Sequence, residues 1–157
     1  MVTGLKGGTS APPPAPARRS PIWQMTFPGL EDQPGRVRRE LASVLRAHPD
    51  LDDILVVASE LCTNAVLHTR SGRQGGTFSV EVAVADGEAL VIAVADEGAP
   101  TGPRLLTAAQ ADAHFRGLHV VKGLSRGYGV DGDAQGRTVW ARFAPLGSTA
   151  PCRGEPC

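Results

Sequence analysis

Three functional side chains interrupt an otherwise apolar stretch near the middle of the chain: Glu60, Asn64 and His68. Their spacing of four residues places a carboxylate, a carboxamide and an imidazole on one stripe of a helix. An amide oxygen is a hard ligand that suits Mg²⁺, and a carboxylate can accept a proton from a nucleophile. The same pattern is also consistent with a polar edge on a packed helix, so both interpretations stay open.

Three later motifs each combine glycine with a polar or charged residue at the end of a predicted element: Asp96-x-Gly98-x-Pro100, Arg116-Gly117-Leu118 and Gly136-x-Thr138. Each has an ordinary structural explanation, because the first is a common turn, a glycine before a helix relieves crowding, and threonine is frequent in strands. Their occurrence in this order, together with the helix stripe, is what points to a common function.

A nucleotide bound with Mg²⁺ would give each motif a use. Asn64 would bind the metal, and Glu60 would take a proton from a nucleophile that attacks the γ-phosphate. Asp96 would accept a hydrogen bond from the exocyclic amine of adenine, and Gly98 would let the backbone approach the base without a Cβ in the way.

The remaining two motifs would act on the phosphates and on the base. Gly117 and the neighbouring N–H groups at a helix N-terminus suit phosphate oxygens. The hydroxyl of Thr138 would join the adenine side through water.

The residues that carry these motifs lie on two predicted helices. Residues 34–47 form an amphipathic pattern, and Asp50 is a suitable N-cap for the second helix, which carries the stripe. The inward positions of the first helix are Val37, Leu41, Val44 and Leu45. Those of the second helix are Leu51, Ile54, Leu55, Ala58, Cys62 and Ala65.

Strands are predicted on both sides of these helices. Residues 22–27 alternate as an edge strand, and an Asp-Gly step between residues 78–84 and 90–95 indicates a hairpin. A loop over 101–116 and a short helix at 117–124 follow, and the last strands are 127–130 and 137–143. The order β-α-α-β-β-loop-α-β-β predicts an α+β fold: a two-layer sandwich with a mixed, mainly antiparallel sheet backed by helices.

The 157 residues fit one domain, expected at residues 21–145 between a disordered leader (1–20) and a flexible tail (146–157). Balanced charge and scattered arginines argue against direct nucleic-acid binding. The sequence contains no membrane-length apolar run and no signal-peptide core, so a cytoplasmic protein without a membrane partner is expected. Cys62 acts as a small core residue, whereas metal binding or oxidation at Cys152 and Cys157 stays open.

The segments ELCTNAVLH, VADEGAP, RGLHVV and GRTVW together resemble the Bergerat-fold, or histidine-kinase-like, ATPases. Within them, the chain looks most like the stand-alone anti-sigma-factor serine/threonine kinases of bacteria, over residues 22–143. The resemblance implies ATP and Mg²⁺ between the helical layer and a lid, for which residues 99–116 are the candidate. It implies Asn64 as the Mg²⁺ ligand, Glu60 as the general base, and Asp96 with Gly98 at adenine.

The resemblance also implies roles for the residues around the phosphates. Gly117 and Leu118 become phosphate-loop residues, Thr138 a supporting hydroxyl, and His68 a non-catalytic neighbour of the nucleotide. The glycine box before the third helix reads HFRG, which is poorer in glycine than is usual in the family and predicts a stiffer lid hinge. Arg116 is either a direct phosphate contact that compensates or a solvated lid residue.

The function implied is an ATP-binding anti-sigma regulator that phosphorylates a serine or threonine of an anti-anti-sigma partner and sequesters a sigma factor. The sequence contains nothing like the dimerisation helix with a phosphorylatable histidine, so the phosphoacceptor is expected on another protein. One alternative is a non-catalytic ATP-binding module that sequesters a partner, and another is a family member that binds no nucleotide. The resemblance makes a homodimer reasonable, but the sequence identifies neither the sigma factor nor the partner.

Overall fold

This computed structural model describes residues 18–86, 88–100 and 116–148, which contain five strands and three α-helices. In order, these elements and one 3₁₀ turn are β1 (Arg19–Pro28), α1 (Gln33–Val44), α2 (Leu51–His68), the 3₁₀ turn (Arg70–Gly72), β2 (Thr77–Ala85), β3 (Ala89–Asp96), α3 (Arg116–Leu124), β4 (Gly127–Asp133) and β5 (Gly136–Phe143). The predicted order of helices and strands is therefore confirmed. The two tail cysteines, most of the predicted leader, and the predicted loop up to residue 115 lie outside the described residues.

The strands form one sheet in the order β1-β2-β3-β5-β4, and every neighbouring pair is antiparallel. The edge position predicted for β1 is confirmed. This strand begins at Arg19, inside the predicted leader, and its register shifts between Pro21 and Trp23. The α+β class and the helix-backed sheet are confirmed, with a sheet that is antiparallel throughout its described strands.

The core lies between one face of the sheet and the helices. Phe27, Phe78 and Phe143 from the strands pack with helix residues such as Leu41 and Ile54. Side chains alternate along a strand, so residues of the other parity face away from the helices. A second cluster on that far face consists of Ala85, Val91, Ala93 and Trp140.

The first helix ends earlier than its sequence pattern predicts. It stops at Val44, and Val44 is 39% exposed, so its predicted inward position is wrong. Val37, Leu41 and Leu45 are buried at intervals of four residues, and they define the stripe that faces the core. Val44 lies beside this stripe, at the border with solvent.

The connection between α1 and α2 is tied to the end of β5. Asp50 occupies the N-cap position of α2, but its side chain does not cap the helix; its Oδ2 accepts the Ala144 N–H at 3.1 Å instead. His48 Nδ1 accepts the Asp50 N–H at 3.0 Å, and His48 Nε2 lies 2.9 Å from the Ala144 carbonyl oxygen. Because Nδ1 accepts, the ring proton lies on Nε2 and is donated to Ala144. These bonds fix the start of the helix that carries Glu60 and Asn64.

Candidate functional site

Helix α2 separates its core face from the stripe predicted to do chemistry. Its buried residues are Ile54, Val57, Ala58, Leu61, Cys62, Ala65 and Val66. Glu60 and Asn64 are partly buried at the margin of this face, and His68 at the helix end is exposed. Burial raises the pKa of the Cys62 thiol far above its usual range, which leaves this cysteine an unreactive core residue, as predicted.

The first turn of α3 packs directly on this stripe. A Cβ added to the buried Gly117 would lie 2.7 Å from Glu60 Oε2 and 3.6 Å from Asn64 Nδ2. The structure thus brings together a carboxylate, a carboxamide and the first described turn of α3. Leu118 follows as a partly buried residue, and the side chain of Arg116, the first residue of α3, lies outside the described part of the chain.

Asp96 ends β3 as a partly buried carboxylate. Its Oδ1 accepts the Gly98 N–H at 2.6 Å. Burial raises the pKa of the Asp96 carboxyl, while the Gly98 N–H and the charge and backbone N–H of Arg137 act in the opposite direction. A carboxylate held in this way can accept a hydrogen bond from a ligand as long as it stays ionised.

The structure gives a reason for glycine at position 98 that the sequence did not predict. Its φ of +76° lies in the left-handed region, and an added Cβ would overlap the carbonyl oxygen of Ala134 in the turn between β4 and β5. The structure therefore requires glycine here for the backbone conformation and for the close approach of a neighbouring turn. Whether a base also approaches Gly98 remains a prediction.

The structure does not bring the Thr138 side chain together with Asp96. Asp96 pairs with Arg137 across the β3–β5 ladder, and Thr138 pairs with Ala95. Since the side chain of Trp140 lies on the face away from the helices, Thr138 lies on that face too. Asp96 and Arg137 share the helix side of the sheet, so the register offers no support for the predicted Thr138 role at adenine.

Sequence reasoning missed Arg137 and Arg70. Arg137 is only 8% exposed, and strand alternation separates its face from that of Thr138 without indicating that it meets Asp96. Arg70 Nη1 donates to the carbonyl oxygens of Glu97 at 3.0 Å and Ala134 at 2.7 Å. No sequence signal marks this contact, because it joins segments that are remote in the chain.

A cleft of about 310 Å³ lies between the end of α2 and the segment that follows Gly98. His68, Thr69, Arg73, Ala99 and Pro100 are among its lining residues. Helix α2 thus connects the two parts of the candidate site. It faces α3 at Glu60 and Asn64, and it reaches this cleft at His68.

A metal ion at this site would need a bound nucleotide to supply most of its ligands other than water. In the described ranges, no group of three or more His, Cys, Asp or Glu side chains could hold a metal ion. Asn64 offers one hard oxygen, which fits Mg²⁺ because this ion usually keeps several waters and binds phosphate oxygens. The residues present therefore fit a Mg²⁺ that arrives with a nucleotide.

The fold and the site define an α+β domain of the ATPase type. The profile of the histidine kinase-like ATPase domain family matches residues 27–143, a range that includes every predicted site residue. The chain belongs to this family. No curated protein sequence matches the chain significantly.

Two solved structures are similar in fold. The RsbU and RsbW domains of a Mycobacterium tuberculosis protein align with a TM-score of 0.59 and 22% identity, over 78% of this chain and 31% of that one. The SiaB–SiaC complex of Pseudomonas aeruginosa contains a chain that aligns with a TM-score of 0.58 and 14% identity, over 78% of this chain and 89% of that one. This chain thus spans about a third of the M. tuberculosis chain. Among the described helices, none has both the length and the apolar character needed to cross a bilayer.

Proposed function

We propose that this protein binds ATP with Mg²⁺ and transfers the γ-phosphoryl group to a serine or threonine of an anti-anti-sigma partner. The observation that carries this proposal is the packing of Gly117, at the start of α3, on Glu60 and Asn64. This packing supports a phosphate site at the predicted start of α3, beside a candidate general base and a candidate metal ligand. The family and the fold shared with RsbW domains and the SiaB–SiaC complex support it.

Each residue has a distinct part in the proposed transfer. The Glu60 carboxylate takes the proton of the partner's hydroxyl as that oxygen bonds to the γ-phosphorus and the bond to ADP breaks. Asn64 holds Mg²⁺ through its amide oxygen, and the ion supplies charge neutralisation on the triphosphate. The N–H groups of Gly117 and Leu118 donate hydrogen bonds to phosphate oxygens, while Asp96 accepts a hydrogen bond from the adenine amine.

The partner half of the proposal comes from the resemblance and from the neighbours. One of these was solved as a complex of two proteins and the other carries two domains in one chain. We propose an anti-anti-sigma protein as the phosphoacceptor and a sigma factor as the alternative client of a cytoplasmic, dimeric regulator. Co-purification of the tagged protein with both clients, and exchange between them when ATP is added, is the expected behaviour.

Calorimetric titration of Mg²⁺-ATP tests the nucleotide site. Wild type is expected to bind, Asn64→Ala to lose most of the affinity, and Glu60→Gln to keep it because the base acts on the nucleophile. Folded wild-type protein that releases no binding heat at millimolar ATP would refute the proposal. Arg46→Ala, at an exposed position beyond α1, serves as the matched control.

A non-catalytic module is the second candidate, favoured by the glycine-poor sequence HFRG before α3. In this case ATP, when bound, orders the site without phosphoryl transfer, and a surface sequesters the partner. Glu60→Ala separates the two candidates in cells. Intact regulation in Glu60→Ala, combined with its loss in Asn64→Ala, would favour the module over the kinase.

A further inference from the structure

The turn after β3, residues 96–99, is held by two arginines from different parts of the fold. Arg70 lies in the 3₁₀ turn that follows α2, and Arg137 lies in β5. This turn begins with Asp96, the carboxylate proposed to recognise adenine. Anything that fixes the turn therefore also fixes the acceptor that a base would meet.

Arg70 bonds two consecutive carbonyl groups of the turn. Its backbone N–H donates to the Gly98 carbonyl at 2.8 Å, and its Nη1 donates to the Glu97 carbonyl at 3.0 Å. The second hydrogen on Nη1 points to the Ala134 carbonyl at 2.7 Å, in the turn between β4 and β5. One guanidinium nitrogen thus links the β3 end to the turn that Gly98 already touches.

Arg137 supplies the third consecutive carbonyl contact. Its Nη2 donates to the Ala99 carbonyl at 3.2 Å, and its position in β5 is directly opposite Asp96. The carbonyls of residues 97, 98 and 99 are therefore all occupied by hydrogen bonds from these two arginines.

The N–H groups of the turn are held as well. The buried Ser71 accepts the Glu97 N–H through its Oγ at 2.9 Å, and Asp96 Oδ1 accepts the Gly98 N–H at 2.6 Å. The peptide group between residues 97 and 98 is thus bonded at both its carbonyl and its N–H, and the groups on either side of it each have one bonded end. A hydrogen-bonding group that is fixed in advance discriminates between ligands better than one that can reorient.

We propose that Arg70 and Arg137 are positioning residues that fix the 96–99 turn and so set the preference for adenine over guanine. This inference rests on the proposed function, because it requires a purine nucleotide at Asp96. Guanine presents a carbonyl oxygen where adenine presents its amine, so a fixed carboxylate accepts a hydrogen bond from adenine and repels guanine. When the turn loosens, ATP loses its hydrogen bond, whereas GTP had none to lose.

The test is the ratio of ATP to GTP affinity, measured by calorimetry in the presence of Mg²⁺. Arg70→Ala and Arg137→Met are expected to lower this ratio about tenfold, because an ångström-scale displacement weakens a directional contact strongly. Arg70→Lys, which keeps the charge without the planar fork, is expected to give an intermediate ratio. Arg46→Ala should leave it unchanged.

A general structural role predicts a different result, namely equal losses for both nucleotides. An unchanged ratio in folded Arg70→Ala and Arg137→Met, checked by circular dichroism, would overturn the inference. If all three arginine variants fail to fold, these residues act on stability and the inference is overturned as well. Wild type that binds no ATP would instead refute the proposed function, so the two failures are distinguishable.

Discussion

At the scale of single residues, the site depends on two glycines, Gly117 and Gly98. The Cβ missing at Gly117 would fall on the flexible end of Glu60, whereas the one missing at Gly98 would fall on backbone atoms of Ala134 and Gln135. A flexible carboxylate can move aside, but a backbone carbonyl cannot move without the turn. The two glycines should therefore differ in what their substitution costs.

Gly117→Ala is expected to change the free energy of unfolding by less than about 1 kcal/mol, because alanine favours the helix while Glu60 shifts. The displaced carboxylate should lower phosphoryl transfer by about tenfold or more. Urea unfolding and a transfer assay measure both effects. No described atom lies within 4 Å of a Cβ at Gly123, so Gly123→Ala is the control and should gain up to about 1 kcal/mol. Unimpaired transfer in Gly117→Ala would contradict the role of this contact.

Asp96 is expected to reduce stability while it serves binding. Burial raises its pKa above the ordinary value of 3.8, so between 3.8 and the raised pKa the folded state binds more protons than the unfolded state. Stability therefore falls as pH rises through that interval, and the loss is fully present above the raised pKa. Asp96→Asn should be more stable than wild type at pH 7, bind ATP poorly, and lose its advantage as pH decreases towards 3.8.

Urea midpoints across this pH series measure the effect, with the exposed Glu31→Gln as the control. A lower midpoint for Asp96→Asn at pH 7 would mean that the Gly98 and Arg137 contacts outweigh the desolvation of the carboxylate.

At the scale of elements, helix α2 carries one half of the site and is anchored at its start by His48. This residue is 7% exposed and joins the N–H of Asp50 to the carbonyl of Ala144 after β5. The helix layer and the sheet are thereby connected at the end of α2 remote from His68.

His48→Ala is expected to lower the free energy of unfolding by about 1–3 kcal/mol, because a buried carbonyl and a partly buried N–H lose their partner. Denaturant unfolding checks this value, and the exposed His119→Ala, measured beside it, should change stability by less than about 0.5 kcal/mol. Equal stabilities for the two variants would show that the loop is not held through His48.

The register of β5 separates Thr138 from Asp96. We expect Thr138→Val to leave ATP affinity within about twofold, because the hydroxyl lies on the face away from the helices and valine suits a strand. Arg137→Met, one residue earlier, is the matched comparison and should lower the affinity more. A large loss in Thr138→Val, seen by the same titration, would restore the role that the sequence predicted.

At the scale of the whole molecule, the site joins α2, α3 and the turn after β3, so a ligand there links elements from distant parts of the chain. Mg²⁺-ATP at 100 times its dissociation constant should stabilise the protein by about 2.7 kcal/mol. Thermal melts should show a higher Tm with Mg²⁺-ATP, a smaller shift with EDTA, and almost none in Asn64→Ala. An equal shift in Asn64→Ala would place the metal elsewhere.

Local pattern in the sequence was enough to predict the order of helices and strands, the edge position of β1, the buried Cys62 and the stripe of Glu60 and Asn64. These features follow from periods of 3.6 and 2 residues and from turn chemistry, which neighbouring residues determine. The family resemblance placed the motifs in one domain, and the profile match confirmed that family.

Only the tertiary structure decided which remote residues meet. Strand register put Arg137 rather than Thr138 beside Asp96, and chain packing put Gly117 on Glu60 and the Arg70 side chain on the turn after β3. Such contacts depend on how separate elements pair and pack, and neither of the arginines stands out by local periodicity or spacing. The sequence alone therefore determined the elements and the chemistry they carry, and the fold determined how those groups are held together.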